Sequence, residues 1–233
     1  MAQNSLKYES STPRKPLASR YAFAYDGSKR PEWVICGVAN FKASNSRGRL
    51  MPSNSLERMV KIMGVLQSDT QQAQDLLTTE RSPYARRTYV RTFFSMIDGL
   101  TYQLKQLALE RESEGLVNFS PSERDQLRED TKFIRAPENI RLSLECLGRA
   151  YGSDYRPAYG NHRWGSLKRA IAIRHHVTHP KKLGDLEISD ADLQIILDGM
   201  KWYHDNLCEV LRQCFLSLIS TGINSIKNPT RIA

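Results

Sequence analysis

Residues 82–112 of the chain have the sequence SPYARRTYVRTFFSMIDGLTYQLKQLALERE. Ser82 followed by Pro83 indicates a helix start, because serine can cap the first N–H groups and proline is tolerated at the first helical position. Apolar side chains then recur every three or four residues, at Tyr89, Phe93, Met96, Ile97, Leu100, Leu104 and Leu107. This spacing predicts one long amphipathic helix that ends near Glu112.

Similar signals occur on both sides of this helix. Upstream, Asn54 and Glu57 indicate a cap, and an apolar stripe follows at Leu56, Met59, Val60, Met63 and Leu66. Downstream helix starts are predicted at Ser120-Pro121, Pro137, Trp164 and Ser189. No internal repeat and no parallel-sheet pattern is found. The sequence therefore predicts an all-α bundle of about five or six helices.

Positive charge is concentrated at the start of the chain. The net charge is +9, and residues 1–54 carry nine Lys or Arg against three Asp or Glu. This segment lacks a helical period, so we predict a basic arm, partly disordered, with either a hairpin or an extended segment over residues 21–41. A helical domain is predicted over residues 55–222 and a tail over residues 223–233. Such an arm suits a polyanion such as RNA or DNA, although a solvated tail is the alternative.

Hydropathy and cysteine spacing indicate the cellular compartment in which the chain is expected. No apolar stretch is long enough to span a bilayer, and the first residues, MAQNS, do not have the pattern of a signal peptide. Four cysteines, at positions 36, 146, 208 and 214, show no Cys-x-x-Cys spacing, so no disulfide framework is predicted. We therefore expect a cytoplasmic protein without membrane association.

The residues best suited to chemistry lie at the end of a helix predicted over residues 164–179. Residues 173–181 have the sequence IRHHVTHPK, which contains three of the five histidines of the chain. Pro180 cannot continue the helix, so His179 is predicted at or just past the last turn. Histidine transfers protons near neutral pH, and an arginine such as Arg174 can stabilise a charged phosphorus-centred transition state. The pair therefore suits phosphodiester cleavage without a metal.

Two other interpretations of these residues remain open. His175 and His179 are four residues apart and share a helix face, which is the spacing of helical zinc ligands. The usual Glu of such a motif is absent, because His176 occupies its position, and a third ligand would have to come from His162 or His204. The other alternative is an ordinary polar helix end, in which His176 faces solvent.

Within a predicted helical bundle, the segment 174–179 resembles the R-x(4–6)-H motif of the HEPN superfamily. Members of that family favour Asn, Asp or His after the Arg, and His175 stands there. The long helix that contains Asp98 is similar to the family's long helix, in which a polar or acidic residue often faces the site. The resemblance covers about residues 56–219 and implies a HEPN-like fold.

The resemblance implies an endoribonuclease that needs no metal or cofactor and acts as a homodimer, with two motifs in one composite site. His179 would move the proton of a ribose 2′-OH and Arg174 would stabilise the phosphorus centre, giving 2′,3′-cyclic phosphate and 5′-OH ends. His175 would orient Arg174, and Asp98 would support the site. A toxin or phage-defence effector held in check by an antitoxin or another inhibitory protein would fit. The alternative is a non-catalytic HEPN-like module that dimerises and binds nucleic acid or a protein.

Several cations near the motif are candidate RNA contacts. Arg87 and Arg91 lie on the long helix, and Lys181 and Lys182 follow His179 directly. A solvated charged face is the alternative for the arginines, and a favourable interaction with the helix dipole is the alternative for the lysines. Asp98 could likewise be an exposed carboxylate paired with Arg91 or Lys105.

Overall fold

The computed structural model describes residues 54–128 and 134–227, with side chains over residues 55–128 and 134–220. The described residues form six α-helices: α1 (Asn54–Glu80), α2 (Pro83–Ser113), α3 (Pro121–Arg128), α4 (Ala136–Ala150), α5 (His162–Thr178) and α6 (Asp190–Lys227). A 3₁₀ turn, Leu183–Leu186, lies between α5 and α6. These ranges contain no strand. The prediction of an all-α fold with five or six helices is therefore confirmed.

The predicted boundaries agree with the structure only in part. The basic arm and its hairpin, predicted within residues 1–54, lie outside the described residues except for Asn54, at which α1 begins. The side chain of Asn54 is not among the described side chains, so the cap predicted there is outside what the structure describes. At the other end, α6 continues to Lys227, beyond residue 222, where the helical domain was expected to end.

The capping hydrogen bonds predicted at the starts of α2, α3 and α6 are present in the structure. The Ser82 hydroxyl accepts an N–H of the first turn of α2 at 3.1 Å. Ser120 and Glu123 bond each other reciprocally, side chain to backbone, and Ser189 and Asp192 do the same at α6. These bonds satisfy N–H groups that have no partner inside the helix.

Helix α2 is the element against which most of the bundle packs. It contacts α1, α3, α4 and α5, while α6 contacts α4 and α5. The apolar stripe predicted on α2 is buried from Tyr89 to Leu107. Burying this stripe leaves the polar edge of α2, which carries Arg87, Arg91 and Asp98, next to α5 and the segment that follows it.

Helices α5 and α6 cross at a glycine. A Cβ atom placed on Gly199 would lie 2.7 Å from the Cα of Leu167 and 2.9 Å from its backbone nitrogen. Only glycine permits this approach of two backbones. Near the crossing, the rings of Trp164 and Trp202 lie 4.6 Å apart, and the Trp202 indole N–H donates to the carbonyl of Ala158 at 3.1 Å. These contacts fix the start of α5 on α6.

Two further findings concern the helices and the thiols. None of the helices within residues 54–128 and 134–227 combines the length and apolar composition of a bilayer-spanning segment. Cys146, Cys208 and Cys214 are free thiols, and Cys36 lies outside the described residues.

Candidate active site

The predicted motif lies at the C-terminal end of α5. This helix ends at Thr178, and His179 is its C-cap residue, with a non-helical φ of −126° and ψ of 62°. The His179 N–H donates to the carbonyl of His175 at 2.9 Å. The prediction that His179 lies just past the last turn is therefore confirmed. Its side chain is exposed to solvent.

Arg174 is held by an ion pair with the long helix α2. Its Nη2 atom lies 2.9 Å from Oδ2 of Asp98, and the two side chains are 33% and 53% exposed. The structure therefore brings together two predicted site residues that lie 76 positions apart in the chain. The other two proposed partners of Asp98 donate elsewhere, Arg91 to a carbonyl of α5 and the fully buried Lys105 to the carbonyl of Gln126.

The three histidines of the motif are grouped at the helix end, and all are exposed. The ring centroid of His175 lies 5.2 Å from that of His179 and 6.4 Å from that of His176. His176 faces solvent, in agreement with the polar-end interpretation of that residue. The ring of His175 lies beside that of His179, and its predicted role in orienting Arg174 stays a prediction.

The metal alternative depends on a third ligand for His175 and His179. His162 lies at the opposite end of α5, and His204 lies on α6, where its Nε2 atom is 3.4 Å from the Cys208 sulfur. Across residues 55–128 and 134–220, no three His, Cys, Asp or Glu side chains come together as a possible metal site. The described residues therefore do not supply the third ligand.

The segment that follows His179 is held by a carboxylate that sequence reasoning missed. The backbone N–H groups of Lys181 and Lys182 donate to Oδ2 of Asp185 at 2.9 and 3.2 Å. The first of these bonds is the main reason why the pKa of Asp185 lies below its ordinary value. The side chains of both lysines remain exposed, and their predicted contact with RNA stays a prediction.

Three arginines of α2 donate to the backbone around the α5–α6 connection. The contacts are Arg91 Nη2 to the Val177 carbonyl at 3.1 Å, Arg87 Nη1 to the Leu186 carbonyl at 3.3 Å, and Arg86 to the Ile188 carbonyl at 2.7 Å and to Asp190 at 2.6 Å. Each guanidinium has five N–H donors, so other donors remain for phosphate. RNA contact by Arg87 and Arg91 stays a prediction, and the structure adds an intramolecular role for both.

The exposed side of α5 is basic along its length. The helix contains no Asp or Glu. Its exposed side chains include Lys168, Arg169, His175 and His176, and the exposed Lys181 and Lys182 continue this surface past the helix end. A surface with one sign of charge attracts polyanions and raises their local concentration. The motif therefore lies at the end of a basic surface.

If the chain cleaves RNA, as the resemblance implies, replacing Asp98 with Asn should lower the cleavage rate while changing the free energy of unfolding only slightly. The ion pair is partly exposed, so its loss should lower the free energy of unfolding by less than about 1 kcal/mol. The Asn amide oxygen can still accept from Arg174 but the opposite charge is lost, so Arg174 is held less firmly; because misplaced groups can cost up to about 100-fold in rate, we expect a loss of about tenfold. Asp205→Asn is the matched control, since Asp205 pairs with Arg163 at the other end of α5 at 3.6 Å. Thermal unfolding and cleavage rates measured in parallel test this, and an unchanged rate in Asp98→Asn contradicts it.

Comparisons of the chain with protein-family models, curated proteins and solved structures find no match. A functional assignment therefore rests on the residues at the end of α5, their contacts with α2, and the chemistry that they permit.

Proposed function

We propose that this chain is a metal-independent endoribonuclease of the HEPN type. The observation that carries the proposal is the ion pair between Arg174 and Asp98, because it fixes an arginine on the same helix end as the exposed His179. A general base and a cation with a defined position are the two groups that phosphodiester cleavage needs when no metal takes part. The basic surface of α5 supports RNA as the substrate.

The proposed reaction is an internal transesterification. His179 accepts the proton of a ribose 2′-OH, and the 2′ oxygen attacks the adjacent phosphorus. Arg174 donates to the non-bridging oxygens as negative charge develops there. The bond from phosphorus to the 5′ oxygen breaks, and that oxygen takes a proton from a general acid. The products are a 2′,3′-cyclic phosphate and a 5′-OH end.

The need for both a base and an acid supports a dimeric enzyme. The His179 that accepts the 2′-OH proton is the base and cannot at the same time protonate the leaving 5′ oxygen, so a second imidazole is the simplest acid. A second copy of α5 placed against the first would supply another His179 and another Arg174. We propose a homodimer with this composite site, active in the cytoplasm as a toxin or defence effector and restrained by an inhibitory partner such as an antitoxin.

A second candidate is a non-catalytic HEPN-like module that binds nucleic acid or a protein. The contacts of Arg87 and Arg91 favour it, because both donate to backbone carbonyls of the same chain. Side chains with these hydrogen-bond partners could stabilise the fold without any part in catalysis. The basic side of α5 would then bind RNA without cutting it.

The full-length protein should cut RNA in the presence of excess EDTA. The same sequence made as DNA should remain intact, because it lacks the 2′-OH that acts as nucleophile. The measurement follows end-labelled RNA and tests the new ends for a 2′,3′-cyclic phosphate. No cleavage, a requirement for a metal, or equal cleavage of DNA would overturn the proposal. Binding of RNA without any cleavage would favour the non-catalytic module.

A further inference from the structure

The end of α5 leaves backbone groups without their regular helical partners. Pro180 has no N–H, so the carbonyl of His176 loses the donor that a continuing helix would provide. Lys181 and Lys182 would be the regular donors to the carbonyls of Val177 and Thr178. Their N–H groups bond to the carboxylate of Asp185 instead.

Two side chains, one from α2 and one from the turn that follows α5, bond this backbone on either side of His179. Arg91, on α2, donates to the carbonyl of Val177, two residues before the histidine, at 3.1 Å. Asp185, in the 3₁₀ turn, accepts from the N–H groups two and three residues after it. The side chain of Val177 is itself buried at 1% exposure, so the backbone at His179 is fixed on both sides.

We propose that Arg91 and Asp185 are positioning residues for His179. They hold the backbone of residues 177–182 so that the imidazole keeps one place relative to Arg174 before a substrate binds. The consequence for catalysis rests on the proposed function, whereas the backbone arrangement does not. Sequence spacing alone suggests a different role for Arg91, namely contact with an RNA phosphate, and the two roles predict different kinetics.

Arg87 provides the matched control for Arg91. It has the same charge, lies one helical turn earlier on α2, and donates to the carbonyl of Leu186 rather than to α5. If Arg91 only binds phosphate, Arg91→Met should raise KM and reduce the salt dependence of binding, as Arg87→Met would. If Arg91 positions His179, the loss should fall on kcat, with partial recovery in Arg91→Lys, which keeps one donor and the charge.

Amide hydrogen exchange of the full-length protein without RNA tests the positioning directly. Exchange at residues 178–182 should become about tenfold faster in Arg91→Met and in Asp185→Ala, since each loses hydrogen bonds that hold this segment. Asp185→Asn should fall between wild type and Asp185→Ala, because its amide oxygen still accepts. Arg87→Met should change exchange at these residues much less than Arg91→Met does, because Arg87 bonds the Leu186 carbonyl, which lies beyond them. Thermal unfolding of each variant shows whether a change is local or global.

The kinetic measurement completes the test. We expect kcat for RNA cleavage to fall about 10- to 100-fold in Arg91→Met and in Asp185→Ala, with KM near that of wild type. Unchanged exchange at residues 178–182 in both variants would overturn the proposal, and so would faster exchange with unchanged kcat. Failure of the wild type to cut RNA would refute the proposed function and the catalytic consequence, while the exchange experiment would still decide whether the backbone is held as described.

Discussion

His179→Ala should lower the rate of RNA cleavage in EDTA by on the order of 100-fold or more, because it removes the proposed general base. The side chain is exposed at the C-cap of α5, so its loss should leave the melting temperature nearly unchanged. Arg174→Ala should cause a loss of similar size by removing the cation that stabilises the phosphorus centre. Arg174→Lys should recover only part of it, since lysine cannot donate in the bidentate geometry of arginine.

The neighbouring histidines provide the controls for this result. His176→Ala removes an exposed imidazole from the same helix end and should leave the rate near that of wild type. The ring of His175 lies beside that of His179, so it is the side chain best placed to supply residual activity in His179→Ala. The double variant with alanine at positions 175 and 179 should therefore be slower than His179→Ala. Cleavage by His179→Ala at the wild-type rate would contradict the role of His179 as the general base. Such cleavage would indicate a contaminating nuclease.

Gly199→Ala should destabilise the protein, although alanine is the better helix former. The added Cβ would lie 2.7 Å from the Leu167 Cα, which belongs to the backbone of α5 and cannot rotate away. Overpacking of this kind typically costs about 1–3 kcal/mol, against a gain of about 1 kcal/mol in helix propensity. We expect the free energy of unfolding to fall by up to about 2 kcal/mol, and a valine at the same position should cost more.

Gly165→Ala is the control for this prediction, since Gly165 lies in α5 and a Cβ there meets nothing within 4 Å. That variant should be as stable as wild type or more stable by up to about 1 kcal/mol. Denaturant unfolding of the two variants measures both changes on the same helix pair. If Gly199→Ala proved as stable as Gly165→Ala, the two backbones would not be in contact as described.

Sequence patterns predicted the helices well because caps and apolar spacing are local signals. Ser82, Ser120 and Ser189 each precede a helix at the predicted place. The start of α5 is less accurate: Asn161 accepts from the N–H of Trp164 at 2.9 Å, so the helix begins at His162 rather than Trp164. No proline or acidic partner marks that cap, which is why the pattern did not place it.

The contacts that build the candidate site were less accessible from sequence. The proximity of Asp98 to Arg174 was expected from a family resemblance, since no periodicity links residues on two different helices. The role of Asp185 depends on a turn formed only after Pro180 ends α5, and apolar spacing carries no signal for it. Lys105, which the sequence offered as a possible partner of Asp98, is fully buried, and its amine donates to the carbonyl of Gln126.

The arginines of α2 also have a consequence for conformational entropy. Arg86, Arg87 and Arg91 bond the end of α5, the 3₁₀ turn and the start of α6 to a single rigid helix. The backbone freedom of the connecting segment is therefore lost during folding and not when a ligand arrives. A ligand that binds there meets a surface that is already ordered, so less of its binding free energy is spent on ordering the protein. Any motion that opens this surface would have to carry α5 and the start of α6 together, away from α2.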